Sequence, residues 1–496
     1  MMSQDAPVTV TADWSMVIQR VTQTGAEIWV GTLFPYMKMP DVARVVIEDG
    51  AGNRHHQTID RHHWQRPFRN MSQRFYAVVH FTGLVPGQQY RVFFERRVEA
   101  VEGVWEHAWW QELRDGEFGT LPDRLPSPTE LPFTVGLGSC FYSHRDGGQA
   151  AAAYRAVYEQ GGRVSPDITF LSGDQVYLDI GFDSLSLIPK EIRERIASDY
   201  ARHWQLLGSI LTRGGTWMLP DDHEYWNDFP FYKSPIPALQ ALRLSHVRSA
   251  WKAAAKDAVA NIQRSPVVET FAIGDELSFC LADLRSWRTG SRLLPDNDFD
   301  RLCQWAQGLT CPGVLVLPQP LIVETDPWEK NLRSYRHQYA RLIAALGHSG
   351  HDIVLMSGDV HFGRIGSVPL GGRGGRLVEV ISSPMSNLTG LNGLATATPS
   401  FKPEQFPDQD TARTIGWEPR PVAYREAGRA VSTRPGRIGS AYPRARTSEH
   451  FMTIGFARDG LGAVRLEANA WRVRERAGPD NMPVADFRQP FITRLR

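Results

Sequence analysis

Between residues 26 and 96 the chain alternates apolar and polar positions. AEIWVGTL (26–33), ARVVIEDG (43–50), RFYAVVHF (74–81) and QYRVFFER (89–96) are rich in β-branched and aromatic types. They repeat with the period of two that a strand with one buried face requires. Pro86-Gly87 marks a turn between the last two runs. The pattern predicts a small β-sandwich over residues 1–125, followed by a linker punctuated by Pro122, Pro126, Pro128 and Pro132.

From Phe133 the period changes. PFTVGLGSC is a short apolar strand running into a glycine turn, AAAAYRAVYEQ (150–160) is a helix, and DITFLSGD (167–174) is the next strand. Helices are predicted over 191–208 and, as one long element, 239–259. GVLVLP (313–318) and DIVLMSGDVH (352–361) are buried strands with a helix over Tyr335–Leu346 between them. Residues 388–447, rich in glycine, proline and arginine, are expected as long loops, and 448–472 as a closing hairpin. Strands interleaved with helices predict an α/β domain over 126–496, with ligands gathered beyond the carboxyl ends of its strands. In the N-terminal part, FTGLVPGQQYRVFF is similar to a strand pair of fibronectin type III domains.

Composition narrows the function. The 55 lysines and arginines nearly cancel the 54 aspartates and glutamates, so no broad basic surface points to nucleic acid or an anionic membrane. The N-terminus lacks a basic segment followed by a long apolar run, and no transmembrane segment is evident, so a cytoplasmic location is the expectation. Four cysteines are too few and too unevenly placed for a disulfide framework. Cys280, within LSFCLADL, reads as a small buried hydrophobe, while Cys303 and Cys311, eight apart across a turn, leave a local disulfide or weak metal pair open.

Four segments place metal-ligand types directly after an apolar strand or turn: GSC (138–140), SGDQVYLD (172–179), LPDDHEYWND (219–228) and SGDVHFG (357–363). Singly, each is an ordinary turn; together they gather Asp174, Asp222 and Asp359. Carboxylates within a few ångströms of one another cannot all stay ionised unless cations lie between them. Two ions about 3.5–4 Å apart sharing one carboxylate bind a phosphate ester and supply a hydroxide for in-line attack. Cys140 does not fit the phosphate loop of a cysteine phosphatase, because Arg145 stands one residue too close.

GSC, GDQVYLD, DDHEYWND and GDVHFG resemble, in order and wording, the signature segments of the PhoD-type alkaline phosphatase and phosphodiesterase family, a branch of the calcineurin-like metallophosphoesterases. DLRSWR (283–288) is similar to a fifth, less specific one. The resemblance spans about residues 133–385 and implies a core of two β-sheets flanked by helices after the N-terminal sandwich. It further implies that Asp174 bridges two metal ions, that Cys140, Tyr177 and His361 complete one position, and that Asp222 and Asp359 hold the other. His223 would stand at the leaving group as a general acid, and Asn227 would be a phosphate or outer contact. Glu224 reads as orienting a neighbour, and Arg285 and Arg288 as candidate phosphate clamps. Where the wider superfamily has Asp-x-His, Gly-Asn-His and Gly-His-x-His, this chain has Cys140, Asp222-His223 and Asp359-Val360-His361.

The chemistry of the donors agrees with that assignment. A phenolate, with an ordinary pKa near ~10, ligates only where a strongly polarising ion displaces its proton, which suits ferric iron. The oxygen-only position suits calcium, magnesium or manganese. Two other classes stay open on the residues alone. One is a binding module built on a decayed phosphoesterase core, which metal content would distinguish. The other is a carbohydrate or lipid hydrolase, which a nitrophenyl phosphate assayed beside a nitrophenyl glycoside would separate.

Overall fold

The alternating N-terminal runs pair into two antiparallel sheets in the computed structural model, which describes residues 13–69, 71–99, 108–144, 146–180, 186–232, 237–325, 330–388, 402–425, 449–460 and 462–496. One sheet joins Ser15–Val21, Gly25–Thr32 and Phe75–Thr82; the other joins Arg54–Asp60, Val42–Asp49, Gln89–Val98 and Trp109–Gly119. Ile28 and Val30 from the first meet Val45, Ile47 and Phe94 from the second in one apolar cluster. The strand Arg54–Asp60 carries no apolar alternation because it is a sheet edge on which only Ile59 is buried. The three-stranded sheet is covered on its other face too. Val17, Trp29 and Tyr76 pack with the helix Pro189–Leu211, and the Trp29 indole donates to Asn261 O at 3.0 Å.

Two seven-stranded sheets form the core of the rest, beside a small two-stranded pair, Gln405–Phe406 with Arg420–Pro421. In the first, Gly215–Leu219, Ile168–Ser172 and Phe133–Gly138 run parallel, and His450–Arg458 and Val464–Ala477 continue it as an antiparallel hairpin. In the second, Leu277–Ala282, Gly313–Val316, Ile353–Ser357 and Arg376–Ile381 are the parallel centre. The sheets face each other: Leu137, Phe170, Leu219 and Ile454 share a core with Phe279, Val316, Met356 and Val380. Helices Gln149–Gln160, Pro189–Leu211 and Ser245–Ala258 cover the outer face of the first sheet, and Asp296–Gln307 and Arg336–His348 that of the second. This is the expected two-sheet core, flanked by helices and preceded by a β-sandwich.

The structure differs from the sequence pattern in three places. The long helix over 239–259 is divided into a 3-10 segment, Pro237–Arg243, and an α-helix, Ser245–Ala258, with Leu244 extended between them. Buried Leu239 and Leu242 are followed by buried Val247 and Trp251, so the apolar stripe slips by one position where the helix breaks. Cys303 lies inside the helix Asp296–Gln307 with Cys311 beyond it, and all four thiols are free. Within the expected loop 388–447, residues 402–425 hold a short helix, Gln409–Ile415, and a strand, Ala423–Arg425, that extends the second sheet. The remainder of that loop, apart from Leu388, lies outside the described residues, as does Arg145. Among the described residues no helix is long and apolar enough to cross a membrane.

Candidate metal centre

Each of the four polar segments begins where a parallel strand ends. Phe133–Gly138 delivers Cys140, Ile168–Ser172 delivers Asp174, Gly215–Leu219 delivers the turn Asp222–Glu224, and Ile353–Ser357, from the facing sheet, delivers Asp359 and His361. The backbone must bend sharply to turn these side chains toward one another. Cys140, Asp174, Asp359 and His361 all have positive φ, at 54°, 57°, 70° and 53°. Such a conformation costs a non-glycine residue of order 1–3 kcal/mol and is retained where the surroundings enforce it. Two glycines allow the close approach: a Cβ on Gly173 would lie 2.8 Å from Asp221 Cβ, and one on Gly358 only 2.1 Å from Ser139 Oγ.

The result is a set of overlapping donor groups that share the Asp174 carboxylate, one of them formed by Asp174, Asp222 and His223. Ligand atoms of Cys140, Asp174 and His361 lie within 4.8 Å of one another, and so do carboxylate oxygens of Asp174, Asp221, Asp222 and Asp359. Cys140 Sγ is 3.5 Å from Asp174 Oδ2, and the Tyr177 hydroxyl is 3.5 Å from His361 Nε2. Burial and the nearby Asp359 push the Cys140 thiol up to about 12, the reverse of a nucleophilic cysteine. Burial, then Cys140, raises Asp174 well above the carboxylate range, and burial with Cys140 and Asp174 raises Tyr177. Burial and the proximity of His223 hold His361 down to about 4, leaving a neutral imidazole. A thiol, a phenol and a carboxyl that keep protons in a buried cluster beside a neutral imidazole are a donor set fitted to a cation, whose charge displaces those protons.

His223 is built differently. Burial opposes its charge, yet Asp179, Asp222 and Asp174 together raise its pKa well above the usual histidine range. Its Nδ1 is 2.7 Å from Asp179 Oδ1, and the second oxygen of Asp179 accepts the Asn227 N–H at 2.8 Å. The His223 ring also lies against Tyr177, with centroids 4.3 Å apart. Asp222 is held below the usual range by His223 and Arg285 despite burial, and accepts the Asp228 N–H at 2.6 Å.

Glu224 carries no ligand position. Its buried carboxylate accepts the N–H groups of Asp174 (3.0 Å), Gln175 (2.6 Å), Val176 (3.3 Å) and Asp221 (2.8 Å), tying the loops after two neighbouring strands together. Both candidate clamp arginines are buried and bonded to protein. Arg285 pairs with Asp221 and donates to Phe229 O at 2.9 Å. Arg288 donates to Gln319 Oε1 at 2.8 Å, and Gln319 Nε2 in turn donates to Asp359 Oδ2 at 3.0 Å. Sequence reasoning left four of these partners unassigned: Asp179, Asp221, Gln319 and Asn387, whose Oδ1 stands 2.8 Å from His361 Nδ1. Asp179 and Asp221 lie inside the segments already singled out; Gln319 and Asn387 have no local signal.

No protein-family model and no curated protein matches the sequence. Among solved structures, that of PhoD superposes with a TM-score of 0.61 at 14% identity, covering 99% of this chain and 93% of that one. Also found were the sensor domain of an anti-sigma factor from Pseudobacteroides cellulosolvens (TM-score 0.15, 11% identity, 22% of this chain and 96% of that one) and β-glucuronidase 2 from Bacteroides uniformis (TM-score 0.24, 8% identity, 70% and 40%). At those TM-scores neither bears on the fold. The chain shares the fold of that PhoD structure, a core of two facing sheets flanked by helices behind an N-terminal β-rich part.

Proposed function

We propose that this centre hydrolyses phosphate mono- or diesters with two bound metal ions. The observation that carries the reading is Asp174, one carboxylate common to two donor groups of different chemistry. Cys140, Tyr177 and His361 would hold one ion with Asp174, and their thiolate and phenolate character suits ferric iron. Asp222 and Asp359 would hold the other, a hard divalent ion such as calcium, magnesium or manganese. Such a pair, when bound, supplies Lewis-acid charge for the phosphoryl oxygens and an acidified water for in-line displacement.

The chain's own residues supply the rest. Asp179 fixes His223 through Nδ1, leaving Nε2 as the nitrogen that gives a proton to the departing oxygen. Asn227 acts through its main chain, by anchoring Asp179. Arg285 and Arg288 position the carboxylates of Asp221 and, through Gln319, Asp359. In the same reading residues 1–125 are the sandwich unit, fibronectin type III-like, and 126–496 the hydrolytic unit.

The test is elemental analysis of protein purified without chelator, with hydrolysis of nitrophenyl phosphate and bis-nitrophenyl phosphate followed before and after chelation and reloading. Two equivalents of metal and chelator-reversible hydrolysis are expected. Protein that binds no metal and cleaves neither ester after reloading would refute the proposal.

A further inference from the structure

The first aspartate of the 221–222 pair is bonded on one side only. Asp221 and Arg285 are both wholly buried, and the guanidinium Nε donates to Asp221 Oδ1. The other carboxylate oxygen, Oδ2, has no hydrogen-bond partner among the described residues, and neither has Nη2 of Arg285. Leaving a buried polar atom unpaired costs about 1–3 kcal/mol, more for a charged group. An ion pair that served only to fasten two loops would be expected to close both of its ends.

Its surroundings place this carboxylate at the candidate centre. A carboxylate oxygen of Asp221 lies within 4.8 Å of oxygens from Asp174, Asp222 and Asp359, the oxygen-only donor group. Arg285 is held rigidly behind it: its backbone N–H donates to Asp283 Oδ1 at 2.9 Å and its Nη1 to Phe229 O at 2.9 Å. A fourth acidic donor would ordinarily overload the centre with negative charge. Here the guanidinium cancels the added charge, so Asp221 contributes an oxygen without altering the balance between donors and ions.

We infer that Asp221 is a ligand of the oxygen-rich position, with Arg285 as its built-in counter-charge. This rests on the two-metal reading above and adds a donor to it. Asp221 would then select a hard cation with a large coordination number, since the position gathers four carboxylates.

The experiment compares wild type, Asp221→Asn, Arg285→Gln and the double variant, each freed of metal and then titrated with calcium or manganese. Binding is followed by calorimetry and by elemental analysis after dialysis, and folding by circular dichroism of the metal-free protein. Asp221→Asn is expected to weaken the oxygen-rich position by roughly 100-fold, the upper end of what loss of an outer partner costs, or by more. The thiolate position, reloaded with ferric iron before the titration, should hold it as the wild type does. The double variant replaces the buried ion pair with two neutral amides of similar size, so it tolerates loss of the charge on both sides. If Asp221 ligates, the double variant stays as deficient as Asp221→Asn. Recovery of the second ion in the double variant would mean that the pair is only a fastening, and overturn the inference. Full occupancy in Asp221→Asn would overturn it as well. A wild-type protein that binds no metal would instead overturn the two-metal reading, and this inference with it.

Discussion

The two sides of the centre are made of opposite electrostatics. Cys140 and Tyr177 sit in an apolar pocket with Leu388, Tyr142 and Ile180, and burial keeps both protonated. Asp222 sits among His223, Arg285 and Arg288, which hold it ionised although it is equally buried. In the proposed two-metal reading an ion would have to displace protons from Cys140 and Tyr177 on one side, whereas on the other Asp222 is already charged. The lesson is that a single carboxylate, Asp174, belongs to two donor groups of different chemistry, one that would need a strongly polarising ion and one that would accept a weakly polarising ion. The two should differ in metal preference and in sensitivity to acid.

The largest effect is expected where the two sides meet. Asp174→Asn should lower turnover by at least roughly 10³-fold, the scale of losing a central electrostatic contact, and reduce metal at both positions. Near-normal turnover with full occupancy would show that the sides do not share this carboxylate.

Next in size is His223→Ala. General acid catalysis contributes about 10²–10⁴-fold, and most when the departing alkoxide is a poor leaving group. Hydrolysis of an alkyl phosphate should slow far more than that of a nitrophenyl phosphate, with metal content unchanged. Equal slowing of both would mean that His223 stabilises charge without moving a proton. Loss of metal would make it a ligand.

A subtler contrast is the pH dependence of metal binding. Burial pushes the Cys140 thiol up to about 12 and raises the Tyr177 phenol too, so binding at that side must expel protons, and its affinity should fall steadily as pH falls. Asp222 is below the usual carboxylate range, so over the same neutral window the oxygen-rich side should change less. Titration of each position between pH 6 and pH 9, with a phenolate charge-transfer band reporting ferric iron at Tyr177, checks the difference. Parallel pH slopes would remove the distinction between the sides.

The smallest effect is expected from Asp179→Asn, about 10-fold or somewhat more, in keeping with loss of an outer hydrogen bond. Asp179 raises the His223 pKa, so its removal should let His223 lose its proton at lower pH. The alkaline limb of the turnover profile would move down in pH, and an unmoved limb would detach Asp179 from proton transfer.

Much of this was legible because of where the ligands lie. An apolar strand followed at once by Gly-Asp or Gly-Ser-Cys is a local pattern, and the parallel strands bring Cys140, Asp174 and Asp222 to one rim. The partners that tune them were not legible, because they come from afar. Asn387 reaches His361 across 26 positions and Gln319 reaches Asp359 across 40, with only tertiary packing to connect them. The sandwich shows the same limit. Strands with one buried face announced themselves, whereas the exposed edge Arg54–Asp60 did not. The break at Leu244 was lost because helix-forming residues continue on both sides of it.

Glu224 has a consequence for how the proposed centre would take up ions. Because one carboxylate grips four main-chain N–H groups from two loops, the left-handed bend at Asp174 is fixed by the polypeptide and does not wait for metal. In the proposed reading, loading would be an exchange of ions against the protons of Cys140 and Tyr177, with the donor chemistry of each position deciding which ion it keeps.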